Sequence, residues 1–250
     1  MRKNLWKGCL LSIAASLLTV GCEDQTETFA ETRAPEEFKI KDEFSDPNSN
    51  YYSQVSQDRF VNETFFKNKR GGVFIEIGAY DGEKFSNTKY FEEYLGWTGL
   101  LIEPLPLAFE KLKKNRKSTL INGCITAKRG KQTLFNVQGV EMLSGLADQY
   151  DNRHLDRIER EGGRIEKIEV ECYNLNELCD EHKISRVDFL SLDVEGAELT
   201  ILNSIDFDRL TIDVLTIENN YNYPEIRTLM ESKGYKLIRN PEMDEIYKKI

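Results

Sequence analysis

Three carboxylates close apolar runs in this sequence: Glu103 ends Gly99-Leu100-Leu101-Ile102, Asp193 ends Phe189-Leu190-Ser191-Leu192, and Glu218 ends Val214-Leu215-Thr216-Ile217. Short apolar runs of this kind read as strands buried on both faces, so each acid is carried to a strand tip. In an open α/β sheet ligands bind beyond the carboxyl ends of the strands. A fourth run, Val73-Phe74-Ile75-Glu76-Ile77, leads directly into Gly78-Ala79-Tyr80-Asp81-Gly82. Glycines bracketing a turn let backbone approach a ligand lying over the next helix's N-terminus. Glu103 stands 25 residues beyond Gly78, where a carboxylate can accept hydrogen bonds from the ribose hydroxyls of a nucleotide-like cofactor. Its alternative role is a solvated acid at a strand end.

Candidate bases are few, because the chain has two histidines, His154 and His182. His154 falls in residues 138–163, a polar stretch rich in Gly, Asp and Arg that reads as an irregular lid or binding loop. There it could take a proton from a substrate, or be an ordinary surface histidine. His182 shares one face of a short predicted helix with Leu175, Leu178 and Cys179, and reads as a packed or capping residue.

The elements that must position these groups alternate in type. A helix within residues 51–69 precedes the first strand at 73–77, and a second helix over about 86–95 would be capped by Ser86 or Asn87. Strand 99–104, helix 106–116 and a third strand at 118–125 follow. Residues 131–137 and 167–173 alternate apolar and polar, which predicts an antiparallel pair at a sheet edge. A helix at 174–182, a strand at 188–193, a helix opened by Val194-Glu195-Gly196-Ala197-Glu198, a strand at 213–218 and a helix at 224–233 complete the alternation, and residues 235–238 and 245–248 close it as a hairpin. Such an order specifies a doubly wound α/β sheet with an antiparallel edge.

The N-terminal residues stand apart. Arg2, Lys3 and Lys7 precede an apolar stretch that is short for a membrane span and suited to a signal-peptide core. Leu18-Thr19-Val20-Gly21-Cys22 is similar to a bacterial lipoprotein signal, so residues 1–22 are expected to export or anchor the chain, with a cytoplasmic location as the alternative. Residues 23–50 hold nine acids and three bases with few large apolar residues, and are expected to be a disordered acidic tether. Residues 51–250 would then form the folded domain. The whole chain carries a net charge of −9, which argues against nucleic acid as a partner and suits a small or neutral ligand better. Membrane contact is expected only through the N-terminal segment. The five cysteines show no paired metal-ligand spacing, and those of the folded part read as reduced, buried thiols.

Taken together, Phe74 to Gly82, Leu101-Ile102-Glu103-Pro104 and Asp188 to Glu198 resemble the FkbM family of S-adenosylmethionine-dependent methyltransferases. The resemblance covers most of residues 51–250 and implies the Rossmann-like seven-stranded sheet of class I methyltransferases. It also implies methyl transfer, typically to an oxygen of a sugar or other hydroxylated metabolite, so the acceptor is expected to be a small molecule or a glycan. Carried over by position, Glu76 and Gly78 would sit by the cofactor's methionine part, with Gly78 and Gly82 keeping side chains out of its way and Tyr80 and Asp81 in the same cofactor-binding turn; Glu103 would bind the ribose, and Asn122 to Thr126 would lie near the adenine. Asp193 would face the transferred methyl. Asp193 with Glu218 and Asn219 is similar to the acidic set that holds magnesium in catechol-type O-methyltransferases, with Mg²⁺ or direct hydrogen bonding of the substrate hydroxyl as the two possibilities. A non-catalytic binding or trafficking protein that kept the fold is the competing expectation, since fold alone does not fix function. A nicotinamide dehydrogenase is disfavoured because Gly78 to Gly82 lacks the full G-x-G-x-x-G spacing.

Overall fold

Alternation of side chains along each strand decides the two faces of the central sheet. The computed structural model describes residues 50–250. Helix α1 (Gln57–Val61) runs on into a single wider turn at Asn62–Phe66, and then come β1 (Val73–Ile77), α2 (Lys89–Leu95), β2 (Thr98–Glu103) and α3 (Pro106–Asn115). They are followed by β3 (Thr119–Asn122), β4 (Cys124–Ile125), β5 (Gly130–Gln138), β6 (Gly145–Leu146), α4 (Asn152–Arg160) and β7 (Arg164–Tyr173). The chain closes with α5 (Leu175–Glu181), β8 (Arg186–Leu192), α6 (Glu198–Ser204), β9 (Thr211–Glu218), α7 (Pro224–Ser232), β10 (Tyr235–Arg239) and β11 (Asp244–Lys249).

The main sheet has the order β10-β11-β9-β8-β1-β2-β3. Strands β3, β2, β1, β8 and β9 are parallel neighbours, and the hairpin β10–β11 joins β9 antiparallel. This is the doubly wound sheet with an antiparallel edge that the alternation of elements specifies, and the seven-stranded, Rossmann-like arrangement that the resemblance implies. One face buries Phe74, Leu101, Phe189 and Val214 against Val61, Phe91, Trp97 and Leu112 of the α1–α3 side. The other buries Ile75, Ile77, Ile102 and Leu190 against α5, α6 and α7 through Leu178, Ile201 and Met230. Burial of these side chains, at about 25 cal/mol per Å² of apolar area, is the main force holding the layers. The strand order reverses between β1 and β8, and the crevice at such a reversal is the ligand site of open α/β sheets.

Three expectations need correction. The predicted third strand divides, because after Asn122 the chain leaves β2 and pairs β4 with β7 instead. The predicted antiparallel pair is real, running from Gly130↔Cys172 to Gln138↔Arg164. It belongs to a second sheet, β4-β7-β5-β6, rather than to an edge of the first. Residues 138–163 are not irregular throughout: Asp151 caps α4, accepting from the His154 N–H, and Val137, Leu143 and Ile158 form a small core under that helix.

The cysteine expectation is also overturned in part. Cys124 and Cys172 are register partners on β4 and β7, with Cα atoms 4.6 Å apart, and form a disulfide. Cys179 remains a buried free thiol whose pKa burial pushes up to about 12. The expected signal segment and tether, with Cys9 and Cys22, lie outside the described residues. Among the described residues no helix is long and apolar enough to cross a membrane.

Candidate functional site

A cleft of about 440 Å³ opens at the carboxyl ends of β1, β2 and β8, roofed by Leu134 and Leu146 of the second sheet and by Leu143 between them. Its floor begins at Gly78, whose φ is +88°. A Cβ there would stand 1.7 Å from the Asp193 carbonyl oxygen, so only glycine lets the ends of β1 and β8 come this close. Tyr80 follows in the left-handed region, φ +46°, and its N–H donates to Glu103 Oε2 at 2.7 Å. Glu103 Oε1 accepts from the Leu105 N–H at 2.7 Å. The buried carboxylate thus ties the turn after β1 to the tip of β2, and burial raises its pKa to about 7. Gly78, Tyr80, Glu103 and Asp193 all line the cleft, beside Gly123, Cys124 and Ile125.

At the far wall of the cleft three acids converge. Ligand-type oxygens of Asp193, Glu195 and Glu218 all lie within 4.8 Å of one another. Burial raises the pKa of all three; repulsion from neighbouring acids adds to this at Glu195 and Glu218, which stand well above the ordinary value, whereas a hydrogen bond with Glu218 holds Asp193 back. The loop that carries them is self-braced: Glu198 reaches back to accept from the Val194 and Gly196 N–H groups at 3.1 Å each. Glu195 adopts φ +58° within it.

Residues 76–237 match the model of the methyltransferase FkbM domain. The chain belongs to the FkbM methyltransferase family. It is 33% identical over 94 residues to methyltransferase sdnD of Sordaria araneosa, a match that spans 33% of this chain and 36% of that protein, so the comparison covers about a third of the relative's length. Among solved structures it is similar to methyltransferase FkbM from Methylobacillus flagellatus, with TM-score 0.44 and 12% identity over 71% of this chain and 43% of the other. It is also similar to a TehB-like SAM-dependent methyltransferase from Corynebacterium glutamicum, with TM-score 0.41 and 12% identity over 82% and 91%.

Within this FkbM domain several expected cofactor residues have other work. Glu76 shares a strand face with Phe74, which turns it toward α2 and away from the cleft. Its carboxylate accepts from Ser86 Oγ (2.9 Å), the Asn87 N–H (2.8 Å) and Thr88 Oγ1 (2.5 Å), and Arg116 Nη1 lies 3.3 Å away. Ser86 Oγ in turn accepts from the Lys89 N–H at 3.1 Å, although the residue at the N-cap of α2 is Thr88 and not the expected Ser86 or Asn87. Gly82 faces Leu112 and Arg116 of the α3 side. Asp81 accepts from the N–H groups of Glu83 and Lys84, closing its own turn. Asn122 donates to the Glu103 carbonyl at 2.9 Å, and of the expected stretch 122–126 it is Gly123, Cys124 and Ile125 that line the cleft.

The expected catalytic and metal residues divide as well. Asn219 is buried with both ends of its amide engaged by the Tyr223 backbone, at 2.8 and 3.2 Å, so it does not join the acids. Glu195 takes that place. His154 is 1% exposed, behind Glu195 rather than on a surface loop. Burial lowers its pKa, leaving the ring neutral near pH 7. His182 ends α5 and is exposed, so it caps without packing. Glu195 was legible in principle: it stands two residues after Asp193 in a turn that a glycine completes, which points its side chain to the same wall.

Proposed function

We propose that this domain transfers the methyl group of S-adenosylmethionine to an oxygen of a small hydroxylated acceptor, a sugar or similar metabolite. The observation that carries the reading is the convergence of the Gly78–Tyr80 turn, Glu103 and Asp193 on one cleft at the strand-order reversal. Glu103, fixed by two backbone N–H groups, keeps lone pairs for ribose hydroxyls. The glycine turn supplies close backbone approach to the methionine part. The transfer is an in-line displacement: the acceptor oxygen forms a bond to the methyl carbon, the carbon–sulfur bond breaks, and neutral S-adenosylhomocysteine leaves. The acceptor's proton passes to the acidic wall at Asp193. Alignment of oxygen, methyl and sulfur is the larger part of the catalysis, because the sulfonium is already an activated leaving group. His154, held behind Glu195, acts on this wall rather than on the acceptor directly.

Calorimetric titration of the purified chain with S-adenosylmethionine tests the reading. One site per chain, weakened about 100-fold in Glu103→Ala, is expected, and undiminished binding in that variant overturns the assignment. A second reading, a binding protein without catalysis, is favoured by the Cys124–Cys172 disulfide. Disulfides persist in oxidising compartments, away from the cytosolic supply of the cofactor. Protease accessibility of the domain in intact cells separates the two: a shielded domain supports the enzyme, an accessible one the binding protein.

A further inference from the structure

We propose that Asp193, Glu195 and Glu218 form a site for a first-row transition-metal dication, with Nδ1 of His154 as the neighbouring nitrogen donor. The acids alone would not carry this, but a buried, unpartnered nitrogen beside Glu195 and a buried, unpartnered oxygen on Glu218 do. His154 Nε2 lies 3.2 Å from the Leu143 carbonyl, which can only accept, so that nitrogen bears the ring proton. Nδ1 is therefore a bare lone pair. It is fully buried, has no hydrogen-bond partner, and faces Glu195 Oε2 at 3.7 Å. Glu218 Oε2 is likewise buried without a partner.

Nδ1 thus stands against Glu195 Oε2 with the carboxyl groups of Asp193 and Glu218 beside it, a buried set of nitrogen and oxygen donors that an ion could draw together. Arg157, which also lines the cleft, offsets part of the acids' charge, while its Nε is bound to Glu161 at 3.0 Å. Asn220 Nδ2 donates to Glu195 Oε2 at 3.1 Å and fixes that carboxylate without neutralising it. An imidazole that donates its other N–H to a backbone carbonyl is the arrangement by which proteins orient a metal-binding histidine. Ligand oxygens within 4.8 Å of one another need only a small inward shift to surround an ion at about 2.0–2.2 Å. A nitrogen donor among carboxylates suits manganese, iron, cobalt or zinc better than magnesium or calcium. The cleft side of the site stays open, where an acceptor hydroxyl could coordinate. That role in transfer rests on the methyltransferase reading, whereas binding of the ion does not.

Mn²⁺ added to the purified full-length chain is the probe. With two histidines in the sequence, ring resonances report the site directly in the unaltered protein. One equivalent of Mn²⁺ is expected to broaden the His154 ring signals and leave those of His182 sharp. Broadening of neither, of both alike, or of His182 alone overturns the proposal. Calorimetry should show one Mn²⁺ per chain, weakened at least tenfold in Glu195→Gln, and unchanged affinity in that variant also overturns it. Binding of S-adenosylhomocysteine is measured separately on metal-free protein. Its loss with Mn²⁺ binding intact removes the methyltransferase reading, and the converse removes the metal.

Discussion

The Tyr80 N–H donates to Glu103 Oε2 at 2.7 Å, so the turn after β1 and the acid at the tip of β2 are one mechanical unit. Substituting Glu103 therefore disturbs two things, the ribose acceptor and the shape of the turn. Glu103→Gln keeps an acceptor oxygen and should weaken S-adenosylmethionine about tenfold. Glu103→Ala removes both functions and should weaken it about 100-fold, in keeping with about 1.5–3 kcal/mol for hydrogen bonds to a charged group. Titration calorimetry of the two variants checks the order, and equal affinities would remove Glu103 from the cofactor site.

Glu76 and Arg116 predict a different pattern. Their side chains are 5% and 1% exposed, and the pair locks the Ser86–Thr88 turn to β1. Removing one partner of a buried ion pair strands the other charge, so Arg116→Met should cost about 3–5 kcal/mol of stability. Urea unfolding measures this. Cofactor affinity of the folded fraction should stay within about twofold of wild type, since neither side chain faces the cleft. A large affinity loss would return Glu76 to the cofactor site.

The sequence made the sheet legible because its strands are apolar on both faces and end in acids, and the two-residue period was enough to place Phe74, Leu101 and Phe189 together. The same period already turns Glu76 away from the cleft. The resemblance assigned it to the cofactor because a motif records which residues recur, and not which face they occupy. His154 was harder. Its burial depends on α4 folding over Leu143, a contact between residues whose local composition is polar and turn-like. The second sheet was illegible for a related reason: alternation identifies β5 and β7, but nothing local says that β4 leaves the main sheet to join them.

Stability should fall as pH rises toward neutrality. Glu103, Glu198 and Asp244 are all raised to about 7, in each case first by burial. Each binds its proton more tightly folded than unfolded, so this contribution is complete below the ordinary values of 4.5 for Glu and 3.8 for Asp. It is lost as pH rises through about 7. Thermal melts of the ligand-free chain should show a lower Tm at pH 8 than at pH 5. S-adenosylmethionine affinity should move the opposite way, rising with pH until Glu103 is ionised, because the ribose hydroxyls donate to the carboxylate. A Tm that climbs between these pH values would contradict the raised carboxyls.

The disulfide gives a prediction that needs no assumption about catalysis. Cys124 and Cys172 are separated by 48 positions in sequence and join β4 to β7 at the cleft rim, while Cys179 is free. Peptide mapping of unreduced protein should recover Cys124 linked to Cys172, with Cys179 alkylated after denaturation. Closing a loop of that size restricts the unfolded chain, and Cys124→Ala with Cys172→Ala should destabilise the domain by about 2–4 kcal/mol. Because Gly123, Cys124 and Ile125 form one wall of the proposed adenine end, the same double variant should also weaken cofactor binding several-fold. A double variant as stable as wild type, with both cysteines alkylated in unreduced samples, would mean that β4 is held by its backbone pairing to β7 alone.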